Sequence, residues 1–121
     1  MNAPERIETV RVPPGVPRVR MRLDEKMNNA ATFECMREDH TLGHLVRMEC
    51  LRDPDVRFCG YQIEHPLKHD VMIKVQTTKR STPATAVEHA CERLAGEYRA
   101  MARSFQFALE RAGEAGGMEE R

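Results

Sequence analysis

The sequence has no tryptophan, only two tyrosines and four phenylalanines, and no excess of charge of either sign. With so few aromatic residues, a core must be built from aliphatic side chains and methionine, whose flexible thioether fills irregular gaps. The 19 basic residues are balanced by 19 acidic ones. Proteins that bind nucleic acid unaided usually carry a marked basic excess, so this balance argues against that class.

The sequence also lacks a secretory signal segment and any apolar run long enough to cross a bilayer. Its four cysteines, Cys35, Cys50, Cys59 and Cys91, form no Cys-x-x-Cys pair. We therefore expect an intracellular protein with no membrane partner, in which the thiols are reduced and buried as small hydrophobic groups. A length of 121 residues fits one domain.

No metal site is predicted, although two histidine pairs have a ligand-like spacing. His40 and His44 are four residues apart, but Thr41 stands where the zinc-protease pattern requires glutamate. His65 and His69 have the same spacing across a predicted turn. We interpret both pairs as solvated or hydrogen-bonded histidines.

No catalytic site or cofactor-binding motif is predicted either. Cys59 precedes Gly60, but a nucleophile needs a base and an oxyanion site, and the sequence pattern places this cysteine on a strand. The sequence contains no P-loop and no glycine-rich dinucleotide turn. We therefore expect a protein that is not an enzyme and that holds no cofactor.

Alternating polar and apolar residues predict four short strands, which follow an irregular, proline-rich segment at residues 1–17. The strands are predicted at residues 18–23, 30–36, 56–64 and 71–77, and the short connections favour antiparallel hairpins. In the first, second and fourth strands, period-two spacing places the apolar residues on one face. In the first and fourth strands, that apolar face is predicted to lie against the core. The three apolar sets are Val19, Met21 and Leu23; Ala31, Phe33 and Cys35; and Val71, Ile73 and Val75.

A first helix is predicted from Asp39, as N-cap, to Arg52, where Asp53-Pro54 stops it. Its apolar residues fall on two sides rather than on one stripe, which predicts contacts with more than one surface. Leu42, Leu45, Val46 and Cys50 form one side, and Met48 and Leu51 lie toward the other. Gly43 costs this helix about 1 kcal/mol relative to alanine. We expect that cost to be offset by the close approach of another backbone.

A second helix is predicted from Pro83, after the N-cap Thr82, to about Arg111. We expect the glycines that follow to end it, which gives one domain at residues 18–111 and a mobile tail at residues 112–121. Its apolar positions recur at alternating steps of four and three, as in a coiled-coil seam that covers a partner helix. A larger core within the same chain is the alternative. The repeating positions are Val87, Cys91, Leu94, Tyr98, Met101, Phe105 and Ala108.

Two blocks of sequence resemble the small alpha-like subunits of RNA polymerases. Residues 38–43 read Glu-Asp-His-Thr-Leu-Gly, as in that family, and His44 stands in the place of the family's asparagine. The second block comprises Asp53-Pro54, then Phe-Cys-Gly-Tyr at 58–61, His-Pro-Leu at 65–67 and Val-Gln-Thr-Thr at 75–78. The order and spacing match from about residue 30 to residue 78, and the opening Met-Asn-Ala-Pro looks like the polymerase II member.

The resemblance implies an α+β fold, a four-stranded antiparallel sheet with two helices on one face, in the order ββαββα. It implies a nuclear, non-catalytic assembly subunit of DNA-directed RNA polymerase II, related to the archaeal L subunit and the bacterial alpha dimerisation domain. Such a subunit forms a heterodimer with the larger alpha-like (third) subunit, and the pair is the platform for the catalytic subunits in mRNA transcription; direct DNA binding is not expected. By this analogy the partner-binding residues are Leu42, Leu45, Val46, Leu94, Tyr98, Met101, Phe105 and Leu109.

Three other interpretations remain open from the sequence. The first is the paralogous subunit shared by polymerases I and III, which the Phe-Cys-Gly-Tyr segment resembles. The second is an independent nucleic-acid-binding domain that uses the polar face of its sheet, although that face lacks the aromatic pair that stacks bases in common RNA-binding sheets. The third is a small enzyme that uses Cys59 or the histidine pairs. The outward residues of the polar face are Arg18, Arg20, Arg22, Met72, Lys74 and Gln76.

Overall fold

The computed structural model describes residues 11–119, with side chains through residue 116. The chain forms two pairs of strands, and one helix follows each pair. The elements are β1 (Val19–Leu23), β2 (Ala30–Met36), α1 (His40–Leu51), β3 (Val56–Gln62), β4 (Asp70–Thr77) and α2 (Pro83–Glu119). The strands form one antiparallel sheet in the order β1-β2-β4-β3. The predicted α+β class and the ββαββα order are confirmed. The chain divides into two compact units, and the boundary between them follows Cys91.

The core lies on one face of the sheet, in the central strands and against α1. Ile73 of β4 is paired with Phe33 on one side and Tyr61 on the other, which places all three on that face. The alternation predicted for β2 and β4 is confirmed, because every second residue is buried. The buried apolar side chains of the three paired strands are Ala30, Ala31, Phe33, Cys35, Cys59, Val71, Ile73 and Val75.

The edge strand β1 differs from its prediction. Its apolar residues share the core face of the sheet, because they are paired with buried residues of β2. They are nevertheless exposed: Val19 by 55%, Met21 by 50% and Leu23 by 67%. The prediction that these three side chains are buried in the core is therefore wrong. Alternation in a sequence shows which residues share a face, but it does not show that another part of the chain covers that face.

The helix α1 is capped as predicted. The Asp39 carboxylate accepts a hydrogen bond of 2.9 Å from the N–H of Thr41, which has no partner within the helix. α1 packs on β3 and β4. The buried residues of α1 are Gly43, Val46, Glu49 and Cys50.

The helix α2 begins as predicted and ends later. The Thr82 hydroxyl accepts a hydrogen bond of 3.2 Å from the N–H of Thr85, which is the contact expected of an N-cap. The helix then continues to Glu119, so the end predicted near Arg111 is wrong. An isolated glycine costs a helix only about 1 kcal/mol, and no proline follows. Neither Gly113 nor Gly116 has the positive φ of a helix-ending glycine. Residues 120 and 121 lie outside the described residues, and the mobility of the tail stays a prediction.

Candidate partner-binding surface

The start of α1 is fixed to β3 by an aromatic ring that packs on a glycine. A Cβ atom added to Gly43 would lie 2.6 Å from Cδ2 of Tyr61, so no side chain fits at this position without a shift of the ring. The predicted close approach at Gly43 is therefore confirmed. The approaching group is a side chain, however, so the prediction of another backbone is wrong.

His40 makes a second contact with the same ring. Its Nδ1 lies 3.1 Å from the Tyr61 hydroxyl, and the two rings meet edge to face with centroids 5.6 Å apart. This contact accounts for His40 as a hydrogen-bonded histidine, as predicted. Within residues 11–119, no group of three or more histidine, cysteine or acidic side chains is placed to hold a metal ion.

On α1, the structure separates the predicted partner-binding residues by exposure. Val46 is only 2% exposed and belongs to the core of its own chain. Leu42 and Leu45 are half-buried. Met48 and Leu51 are exposed, which gives α1 the second apolar side that its sequence predicted. Val46 therefore adds no open surface, whereas Leu42 and Leu45 do.

On α2, the remaining predicted partner-binding residues leave apolar surface open. Tyr98, Met101, Phe105 and Leu109 are 49–65% exposed, and Leu94 is half-buried. At 100° per residue these positions fall within one side of the helix. We call this side the α2 seam, defined by Leu94, Tyr98, Met101, Phe105 and Leu109. It gives the helix a continuous apolar stripe of the kind that packs against another helix.

The exposed apolar features that were not predicted include the following two. One is the β1 strip, defined by Val19, Met21 and Leu23, whose alternation was interpreted as core packing. The other is Phe107, which is 61% exposed and lies 5.7 Å below the guanidinium of Arg111. Phe107 follows Phe105 by two residues and therefore lies about 200° away around the helix. The four-and-three repeat does not include it, so no signal in the sequence assigned it a role.

The cysteines behave mainly as small hydrophobic groups. Burial, aided by the charge of Glu38, raises the pKa of Cys35 to about 11. A hydrogen bond from the Cys50 thiol lowers the pKa of Cys59 despite its burial. Both Cys50 and Cys59 are buried, at 0% and 3% exposure, which leaves no access for a substrate. Cys91 is exposed, so the prediction that all four thiols are buried is wrong at this position.

No helix among the described residues is both long and apolar enough to span a membrane. The long helix α2 carries charged side chains along its length, and the mean hydropathy of the whole chain is −0.61. The large exposed apolar side chains in the described part of α2 belong to the α2 seam or to Phe107, whereas Ala86 and Ala90 near its start are buried.

Comparison with known proteins agrees with this geometry. The model of the RNA polymerase Rpb3/Rpb11 dimerisation domain matches residues 30–104. A relative named DNA-directed RNA polymerase II subunit rpb11, from Dictyostelium discoideum, is 41% identical over 105 residues, which cover 87% of this chain and 88% of the relative. A probable RNA polymerase II subunit RPB11 from Caenorhabditis elegans is 40% identical over 96 residues and covers 79% of each chain.

Among solved structures, the DNA-directed RNA polymerase subunit L from Thermoplasma acidophilum is similar in fold. Its TM-score is 0.63 at 29% identity, and the match covers 77% of this chain and 91% of that one. The chain belongs to the family of RNA polymerase Rpb3/Rpb11 dimerisation domains.

Proposed function

We propose that this chain is a non-catalytic assembly subunit of DNA-directed RNA polymerase II in the nucleus. In this role it forms a heterodimer with the larger alpha-like subunit, and the pair is the platform on which the catalytic subunits assemble. The family membership and the polymerase II names of the curated relatives support this assignment. The chain itself supplies binding surface and no chemistry.

The exposed α2 seam is the observation that carries the proposal. Burying a large apolar side chain contributes roughly 1.5–3 kcal/mol. Met101 and Phe105 are exposed by 63% and 65% in this chain, so most of that free energy is not realised within it. A partner helix that packs along the seam would realise it, and removal of water from this stripe would drive the association.

Three surfaces contribute to the proposed interface. The α2 seam supplies five residues, and α1 supplies Leu42 and Leu45. We add the β1 strip, because its apolar face is as open as the seam. Val46 was predicted to bind the partner and stays a prediction, but its side chain would act indirectly, by holding α1 on the sheet.

The experiment compares two phenylalanines of equal chemistry on opposite sides of one helix. The chain is co-expressed with the larger alpha-like subunit, and the complex is measured by size-exclusion chromatography with light scattering. We expect a one-to-one pair for the unaltered chain. Phe105→Asp should weaken the pair, and its combination with Met101→Asp should abolish it, because charges would be buried at the interface. Phe107→Asp is the matched control for Phe105→Asp and should retain the pair.

The outcomes of this experiment separate the rival interpretations. Pairing that survives the double substitution would refute the assignment of the α2 seam. Preferential recovery of the large alpha-like subunit of polymerases I and III would identify the paralogue instead. Tight and steeply salt-dependent binding of nucleic acid by the chain alone would favour the nucleic-acid-binding interpretation.

A further inference from the structure

The sheet face opposite α1 contains a pocket that the proposed dimer interface does not use. Its cavity measures about 320 Å³ and is open to solvent. That volume is at the lower end of the range for ligand sites, about 300–1,000 Å³, and it can hold a few side chains. We call it the open-face pocket, defined by Arg22, Thr32, Phe58, Gly60, Met72 and Lys74.

Strand register builds this pocket across the full width of the sheet. Arg22 of β1 is paired with Thr32 of β2, Thr32 with Lys74 of β4, and Lys74 with Gly60 of β3. One row of side chains thus crosses all four strands. Adjacent strands lie about 4.8 Å apart, so the row is about 14 Å long.

Gly60 and its neighbour Phe58 form the apolar end of the row. A Cβ atom on Gly60 would lie 2.9 Å from Cζ of Phe58, so the glycine provides the space into which this ring leans. A register shift between Val56 and Phe58 aligns Phe58 with Gln76, on the open face. Phe58 is 49% exposed there, and Met72, which is opposite Gln62 in the register, also lines the pocket.

At the other end of the row, two basic side chains differ in their partners among residues 11–119. Lys74 is paired with Asp24 at 3.3 Å, which neutralises it locally. The exposed Arg22 side chain has no salt bridge or hydrogen bond within residues 11–119. Among the described residues, the pocket therefore presents one guanidinium without an ion pair and, about 14 Å away, one exposed aromatic ring.

We propose that the open-face pocket docks an extended segment of another polypeptide that carries a carboxylate and an apolar side chain. The carboxylate pairs with Arg22, and the apolar side chain packs on Phe58 and Met72. An extended chain rises about 3.3 Å per residue, so the two anchors lie about four residues apart in the segment. Arginine binds a carboxylate through two parallel hydrogen bonds, which fixes the orientation of the segment.

A polypeptide fits this pocket better than a nucleic acid does. The pocket wall includes the carboxylate of Glu64, and Glu34 lies on the same face, opposite Arg20 in the register. Phosphate groups along a nucleic-acid backbone would be repelled by these two acidic residues. A segment with a single acid brings only one negative charge to this face, and that charge lies next to Arg22.

Photo-crosslinking of the assembled complex tests the proposal. Benzoylphenylalanine replaces Gln62, which lines the pocket and is exposed, in the full chain paired with its larger partner. We expect crosslinks to a protein peptide that has Asp or Glu about four residues from an apolar residue. Arg22→Gln should reduce the yield about fivefold or more, because the carboxylate loses its partner. The matched control Arg20→Gln, on the same strand and face but outside the pocket, should change it less than twofold.

A charge swap completes the test and keeps it independent of dimer formation. Arg22→Glu should abolish the crosslink, and replacement of the acid in the captured segment by arginine should restore it. The one-to-one pair is measured in the same samples and should persist in every variant. Four outcomes would each overturn the proposal. They are crosslinks to nucleic acid, crosslinks to a peptide without an acid, the absence of any crosslink, and equal yields for the two glutamine variants.

Discussion

The ring of Tyr61 on β3 occupies the space that any side chain at position 43 of α1 would fill. A Cβ atom on Gly43 would come within 2.6 Å of Cδ2 and 2.8 Å of Cγ of this ring. The same Tyr61 hydroxyl lies 3.1 Å from Nδ1 of His40, one helical turn earlier. The segment at residues 38–43 therefore positions α1 on the sheet. Asp39 caps the helix, His40 forms a hydrogen bond with Tyr61, and the Tyr61 ring packs against Gly43.

Gly43→Ala should destabilise the fold, although alanine is the better helix former. The propensity gain of about 1 kcal/mol is outweighed by overpacking against the ring, which typically costs about 1–3 kcal/mol. Gly96→Ala is the matched control, because its added Cβ would meet only the end of Arg99 at 4.0 Å. Thermal unfolding of the paired complex should show a lower midpoint for Gly43→Ala and an equal or higher one for Gly96→Ala. Equal midpoints for the two variants would contradict the close packing.

His40→Phe and Tyr61→Phe should each cost about 0.5–1.5 kcal/mol, since both remove the same hydrogen bond. Because they remove one shared interaction, the double variant should cost clearly less than the sum of the two. Urea unfolding of all four proteins gives the coupling free energy. Additive costs would mean that the two side chains do not interact in solution.

The carboxyl group of Asp24 should titrate below its ordinary value of 3.8. The N–H groups of Lys26 and Met27 donate to its carboxylate and lower its pKa, and Lys74 lowers it further. A lowered folded-state pKa stabilises the fold above the unfolded-state pKa, and that contribution is lost as the pH falls through the folded-state pKa. NMR titration of the Asp24 carboxyl carbon measures the pKa in the folded state. Lys74→Met should raise the pKa only partly, because the two backbone hydrogen bonds remain.

Thiol labelling of the folded chain should modify Cys91 first. Cys91 is exposed, whereas Cys35, Cys50 and Cys59 are buried, and burial raises the pKa of Cys35 to about 11. The thiolate is the reactive form, so Cys35 should react only on unfolding. Counting modified thiols by mass spectrometry should give one in the folded chain and four in denaturant. The variant Cys91→Ser should give none before unfolding, and rapid labelling of Cys35 would contradict its burial.

The sheet and the first helix could be predicted from the sequence because their signals are local. Period-two alternation located β2 and β4, and Asp39 marked the start of α1. The partner of Gly43 could not be predicted, because Tyr61 is 18 positions away and only the fold brings them together. The exposure of Met21 could not be predicted either, because its burial depends on whether a distant part of the chain packs over β1.

The exposure of the candidate interface residues could be predicted in part, while their contact with a partner stays a prediction. The four-and-three repeat placed Tyr98, Met101 and Phe105 on one side of α2, and all three are exposed. The apolar pattern of α1 could not show that Val46 is buried in its own chain, because a helix with apolar residues on two sides gives no sign of which side faces the sheet. The four-and-three repeat gave no information on the length of α2, since scattered glycines weaken a helix without ending it.

Sedimentation of the purified chain, alone and with the larger alpha-like subunit, tests the central claim most directly. The exposed apolar residues of the α2 seam and the β1 strip predict concentration-dependent self-association of the chain alone and a single one-to-one species with the partner. A chain that remains a monomer at every concentration and does not bind the larger subunit would contradict the account.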